Sequence, residues 1–150
     1  MRVVIAEAGQ EYRTASQRPC KSPADAVDLC DCIGDGEQES FVVISLDRKN
    51  GALSTEIVTS GLLDASLVHP REIFRCAILR NAAAIVLAHN HPSGDPTPSA
   101  EDVRITRQLI EAGRILDIKV LDHVILGLPT EKGGKRKFIS LREEGVVSFA

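Results

Sequence analysis

The sequence predicts an α/β fold, a mixed β-sheet with helices packed on it. Three observations carry that expectation. Runs rich in β-branched and aliphatic residues at 39–47, 82–90 and 118–127 have the length and content of strands. Segments with helix-start signals alternate with them, at 22–34, 69–81 and 99–113. The turn "RKNG" joins two strand-like runs, so the sheet contains a hairpin and is not purely parallel.

The elements follow in order. Residues 1–21 open with a short apolar run, Val3 to Ala6, and then turn polar, as a short strand or a loose arm would. "SPADAVDLCDCIG" has Ser22 as N-cap, Pro23 at the first helical position, Asp25 three residues after the cap and Gly34 as its stop. "ESFVVISLD" is a buried strand, and "ALSTEIVTSG" returns as the second arm of the hairpin. In "HPREIFRCAILRN" the pairs Ile73/Ala77 and Phe74/Ile78 lie at helical spacing. "AAAIVLAHN" is a continuous apolar run, which marks a central strand covered on both faces. "HPSGDPTP" is a loop, since three prolines and a glycine in eight residues forbid regular structure. "SAEDVRITRQLIEAG" is a helix with Ser99 as N-cap and Asp102 completing an S-x-x-D capping box. Gly113 is its end or a weak point within it. "IKVLDHVILG" is a further strand, and "KFISLREEG" a strand stub followed by a short helix.

Length and composition bound the function. A chain of 150 residues, 43% hydrophobic, suits one domain, residues 1–150. With one Tyr, four Phe and no Trp, aliphatic side chains must fill the core. A net charge of −3 gives no overall attraction to a nucleic-acid backbone, so direct nucleic-acid binding is not expected. The one dense basic cluster, Lys132 to Lys137, reads as a solvated loop. No apolar run approaches the ~18 residues of a membrane span. "MRVVIAEAGQEYR" is charged too early for a secretory signal, so the chain is expected in the cytoplasm. Cys20, Cys30, Cys32 and Cys76 are irregularly spaced and read as free thiols. Cys20, Cys30 and Cys32 lack the fourth ligand of a soft-metal site.

The chemistry concentrates in "IVLAHNHPSGDPTPSAED", residues 85–102. Residues i and i+2 of a strand point to one side, so His89 and His91 converge at the end of the central strand. Two imidazoles suit a borderline ion such as Zn²⁺. Asp102 shares a helix face with Thr106 and Leu109, the face that packs on the sheet. A carboxylate aimed inward needs a partner, and a metal held by both histidines would be one. Two His and one Asp leave a tetrahedral position open, as in a catalytic rather than a structural zinc site. The plainer reading is that Asp102 only caps its own helix and that His89 and His91 only bond the loop.

This spacing resembles a family. H-x-H, seven residues to a serine and two more to an aspartate is the pattern of the JAMM (MPN) metalloprotease domain. "HNHPSGDPTPSAED", "TSGLLDASLVHPREIF" and "LDHVILG" are similar, in register, to its bacterial RadC-like branch, from about Glu39 to about Gly145. The resemblance implies a cytidine-deaminase-like sandwich with its core at about 39–145 and residues 1–38 as an N-terminal extension, and a cytoplasmic hydrolase with one zinc per chain. It implies a general base in an E-x-F step, here Glu39-Ser40-Phe41, with Glu37 as a near neighbour. It also implies that Ser99 stabilises an oxyanion, a task its place at a helix N-terminus suits. The bond cut would be an amide, in a peptide, an isopeptide or a small molecule.

The remaining histidines carry less. His69, before Pro70, starts a helix. His123, beside Asp122, either orients a ligand from behind or is a satisfied strand histidine. A nucleoside deaminase would need H-x-E and P-C-x-x-C, and neither is present. The rival reading from another class is a metal-binding, non-catalytic JAMM-like interaction module associated with DNA repair or mobile elements. About 38 residues precede Glu39, too few for the helix-hairpin-helix-type region of longer relatives, which weakens a direct DNA role. Retention of Glu39 and Ser99 favours an enzyme. A homodimer through an exposed hairpin edge is left open.

Overall fold

The computed structural model describes residues 18–30, 38–60, 68–129 and 136–150. Its elements are α1 (Pro23–Leu29), β1 (Ser40–Leu46), β2 (Ala52–Ser60), α2 (Pro70–Leu79), β3 (Ala84–Asn90), α3 (Ala100–Leu116), β4 (Lys119–Pro129) and β5 (Arg136–Ser140). The strands form one five-stranded sheet in the order β2-β1-β3-β4-β5. β3 and β4 pair in parallel, and the other neighbouring pairs are antiparallel. This is the mixed α/β architecture expected from the sequence. The parallel pair requires a crossover, and α3 supplies it.

β3 occupies the centre, and all seven of its residues are buried. The apolar run is continuous because both faces are covered. On one face Phe41, Val43, Ile85 and Leu87 pack with Ile73 and Phe74 of α2 and Ile105 and Leu109 of α3. On the other, Val42, Ile44, Val86 and Ala88 pack with Ala26 and Leu29 of α1. Ser22 caps α1 by accepting the Asp25 N–H, with Pro23 in the first turn, as the sequence required.

One irregularity in β4 matters for the site. Ile85 pairs with Val120, and Val86 with Asp122, so Leu121 is an extra residue in the ladder. The bulge resets the alternation. Val120 faces the α2–α3 layer, Leu121 and the other cluster lie opposite, and His123 returns to meet Phe41 at a tilt.

Two local expectations are corrected. Gly113 does not end its helix: α3 runs to Leu116 and closes on Asp117 in the left-handed region at φ 57°. Gly113 is instead a contact point, where an added Cβ would lie 2.4 Å from the Ile118 carbonyl oxygen. The short helix expected after β5 is a set of turns at 141–145. Two of its N–H groups, those of Arg142 and Glu143, go to side chains. The buried Asp122 carboxylate accepts the Arg142 N–H at 3.2 Å, the Ser140 hydroxyl at 2.5 Å and the His123 N–H at 2.7 Å. The expected arm at 3–6, the stop at Gly34, Cys32, Glu37 and residues 132–135 of the basic cluster lie outside the described residues.

Candidate metal centre

The site is assembled at the C-terminal end of β3. His89 faces α3, Asn90 faces the opposite side, and His91 follows one residue past the strand. The His91 N–H donates to the Leu126 carbonyl at 2.8 Å, which extends the β3–β4 ladder by one step and holds His91 in place. The two Nε2 atoms meet at 3.0 Å. His89 is fully buried, and its ring stacks on Phe41 with centroids 5.6 Å apart and planes 8° from parallel.

Asp102 arrives from α3. The Ser99 hydroxyl accepts the Asp102 N–H, and Asp102 Oδ2 accepts the Ser99 N–H at 2.8 Å, a complete capping box. The same carboxylate lies 3.1 Å from each histidine, Oδ1 to His89 Nε2 and Oδ2 to His91 Nε2. The cap and the histidine contact are therefore not alternatives. Asp102 makes both.

Glu39 comes from the opposite direction. β1 pairs with β3 so that Phe41 stands across from His89. Two residues further along that register, Glu39 falls across from His91. Its Oε1 lies 3.8 Å from His89 Nε2. Glu39, His89 and His91 each place a ligand atom within 4.8 Å of the other two, a trio able to hold a metal ion and the one such cluster among the described residues.

The donor chemistry suits a cation. His91 Nδ1 lies 2.9 Å from the Asp95 carbonyl oxygen, which can only accept, so Nδ1 carries a proton. His89 Nδ1 lies 2.7 Å from His123 Nε2. His123 Nδ1 lies 2.5 Å from the Thr106 hydroxyl, which donates its own proton to the Asp102 carbonyl at 2.6 Å and so can only accept from the ring. Burial, and then the neighbouring His89 ring, push His123 well below the ordinary histidine range, which keeps it neutral with a single proton on Nδ1. His123 Nε2 is then an acceptor, and His89 Nδ1 is its donor. These tautomers follow from the network rather than from seen hydrogens. The consequence is that both facing Nε2 atoms present lone pairs, with two carboxylates around them. Such a set of acceptors is repulsive unless a metal ion or an added proton sits among them.

The titration directions agree. The hydrogen bond with Asp102 raises His91 above the ordinary histidine value, against the opposing effect of burial. Burial pushes the Asp102 carboxyl up, but the readiness of the facing His89 and His91 rings to share a proton with the carboxylate, together with the Ser99 N–H, outweighs it and holds the group well below the carboxylate range.

Two further residues belong to the site, and the motif reading passed over both. Thr106 was placed on the Asp102 face with no role of its own. Asn90, between the two histidines, grips the start of β1. Its Oδ1 accepts the Ser40 N–H at 2.8 Å, and its Nδ2 donates to the Gln38 carbonyl at 2.9 Å. Those bonds bracket Glu39. The signal available in the sequence was the polar residue at a buried strand position, which needs bonding partners. His69 is the N-cap of α2 and makes no side-chain cap bond. Cys20 and Cys30 are buried. A cavity of about 630 Å³ opens on the α1 face, lined by Cys20, Lys119, Asp122 and Arg142 among others, and shares no residue with the metal centre.

The RadC-like JAB domain model matches residues 20–146, most of the chain and all of the residues just described. The chain belongs to that family. The RadC-like relatives include the UPF0758 protein of Caldanaerobacter subterraneus subsp. tengcongensis, 52% identical over 112 residues that make up 75% of this chain and 45% of the relative. The UPF0758 protein of Symbiobacterium thermophilum is 54% identical over 110 residues, 73% of this chain and 44% of its own. That of Moorella thermoacetica is 47% identical over 135 residues, 89% of this chain and 56% of its own. The chain thus spans about half the length of the curated relatives it matches. Among the described residues of this RadC-like domain, no helix is long and apolar enough to cross a membrane.

Proposed function

We propose that this domain is a zinc-dependent amide hydrolase of the JAMM type. The observation that carries the reading is the convergence of two imidazole Nε2 atoms 3.0 Å apart, flanked by the Asp102 and Glu39 carboxylates. In this reading His89, His91 and Asp102 hold the ion, since both Asp102 oxygens lie 3.1 Å from the ring nitrogens, against 3.8 Å for Glu39. Asp102 is also fixed by its cap, whereas the Glu39 side chain is partly exposed and able to meet substrate. A bound zinc ion would supply Lewis acidity to the amide carbonyl and to the attacking water.

The protein's own groups supply the rest. Glu39 takes a proton from the attacking water and passes it to the leaving amine. The Ser99 hydroxyl accepts from Asp102 N–H, which leaves its own proton free to donate to an oxyanion. Ser99 is exposed, and His91 is half-buried, so an amide can approach from that side. The substrate is a peptide, an isopeptide or a small amide of the cytoplasm.

The deciding experiment measures zinc per chain after reconstitution, beside amide hydrolysis, in the parent and in three variants. The parent should carry about one zinc per chain. His91→Ala and Asp102→Asn should lose it. Glu39→Gln should keep it and lose about 10²–10⁴-fold in hydrolysis. Zinc lost in Glu39→Gln and kept in Asp102→Asn would exchange the roles of the two carboxylates. A zinc-free parent would remove the proposal.

A further inference from the structure

Behind the site runs a chain of hydrogen bonds that no part of the hydrolytic reading requires. It begins on the backbone of one candidate ligand and ends on the ring of another. The Asp102 carbonyl accepts the Thr106 hydroxyl at 2.6 Å, Thr106 Oγ1 meets His123 Nδ1 at 2.5 Å, and His123 Nε2 meets His89 Nδ1 at 2.7 Å. Thr106, His123 and His89 are all fully buried, so water does not substitute for any link.

We propose that Thr106 and His123 are positioning residues that fix His89 as its Nδ1–H tautomer and so aim the Nε2 lone pair at the metal. The inference rests on the metal reading above and goes beyond it in assigning a direction to the chain. The direction is set at its far end. A carbonyl oxygen cannot donate, so the Thr106 proton is committed to Asp102. Thr106 must then accept from His123. His123 is fully buried with a hydroxyl and a ring on its two nitrogens, so it holds a single proton and its Nε2 accepts from His89, and the one remaining lone pair of the His89 ring is on Nε2.

The fold supplies each link separately. Thr106 sits one helical turn after Asp102, so its hydroxyl reaches back to that carbonyl. The bulge at Leu121 turns His123 toward α3 rather than toward α1. Phe41 stacks against His89 and tilts against His123, which fixes both ring planes. The chain also ties a ligand on α3 to a ligand on β3 through β4, so the spacing of the two ligands is held by three elements.

The test has two readouts. Long-range ¹H–¹⁵N NMR on the metal-free parent reports which nitrogen of His89 carries the proton. Zn²⁺ affinity, by competition with a chromophoric chelator, is compared in the parent, Thr106→Val and Thr106→Ser. The expected result is a proton on His89 Nδ1 in the parent, affinity lower by about 10–100-fold in Thr106→Val, and recovery in Thr106→Ser. A packing role alone would not make the hydroxyl-bearing, smaller serine the better replacement. A His89 proton on Nε2 in the parent would overturn the proposal without any variant. So would a folded Thr106→Val with the affinity of the parent. A parent with the expected tautomer and no affinity for zinc would overturn the metal reading instead and leave the chain as a structural network.

Discussion

At the scale of single residues, Asp102 carries two geometries that a sequence reader would treat as rivals. Its Oδ2 closes the capping box, and both oxygens face the histidines. The roles separate by substitution. Asp102→Asn retains an oxygen for the Ser99 N–H but loses the anionic ligand, so metal should be lost with little change in stability. Ser99→Ala removes the cap on the Asp102 N–H, and should cost about 0.5–2 kcal/mol in urea unfolding of the metal-free protein while zinc content stays at the parent level. Metal kept in Asp102→Asn would remove Asp102 from the set of ligands. His123 shows the same limit on reading residues singly. The sequence left it between orienting a ligand and satisfying a strand, and it is bonded on both nitrogens within one chain.

At the scale of elements, the site depends on strand pairing. Glu39 lies 50 residues before His89 in the sequence and reaches it because β1 runs antiparallel to β3 with Phe41 across from His89. Asn90 reinforces that pairing from the other face of the sheet by bonding to Gln38 and Ser40. Replacing Asn90 by Ala removes the bonds to the Ser40 N–H and the Gln38 carbonyl on either side of Glu39. The expected cost is about 1–3 kcal/mol in stability. Zinc content should stay at the parent level, because no metal ligand is removed, and any amide hydrolysis should fall because the base loses its anchor. Zinc loss in Asn90→Ala would mean that the clamp holds the histidines rather than Glu39. The elements themselves were legible for a physical reason: caps, prolines and apolar periodicity act within a few residues. The turns at 141–145 were not, because the buried Asp122 carboxylate that captures the Arg142 N–H belongs to another strand.

At the scale of the whole molecule, a site built from β1, β3 and α3 couples metal binding to folding. The unfolded chain holds no such arrangement, so zinc should raise the unfolding free energy by about 2.7 kcal/mol at 100 times its dissociation constant. A chelator should remove that increment. The increment should also shrink on acidification, because protons compete for the same lone pairs. His91 is held above the ordinary histidine value, so this competition should begin at a higher pH than for an unperturbed imidazole. Thermal melts with and without zinc across pH 5–8 check the sign. Melts that zinc leaves unmoved would exclude a site of useful affinity.

What the sequence determined by itself was local or patterned. The strands, the helix caps, the covered central strand, the convergence of His89 and His91 and the family all follow from spacing and residue type, because period and capping chemistry are short-range. Tertiary structure alone decided the rest. It chose the β2-β1-β3-β4-β5 order that brings Glu39 to the histidines. It set the bulge that turns His123 inward, and it closed the chain from Thr106 to His89. Those outcomes depend on which strands pair and where a ladder gains a residue, and such contacts join parts of the chain that no local pattern connects.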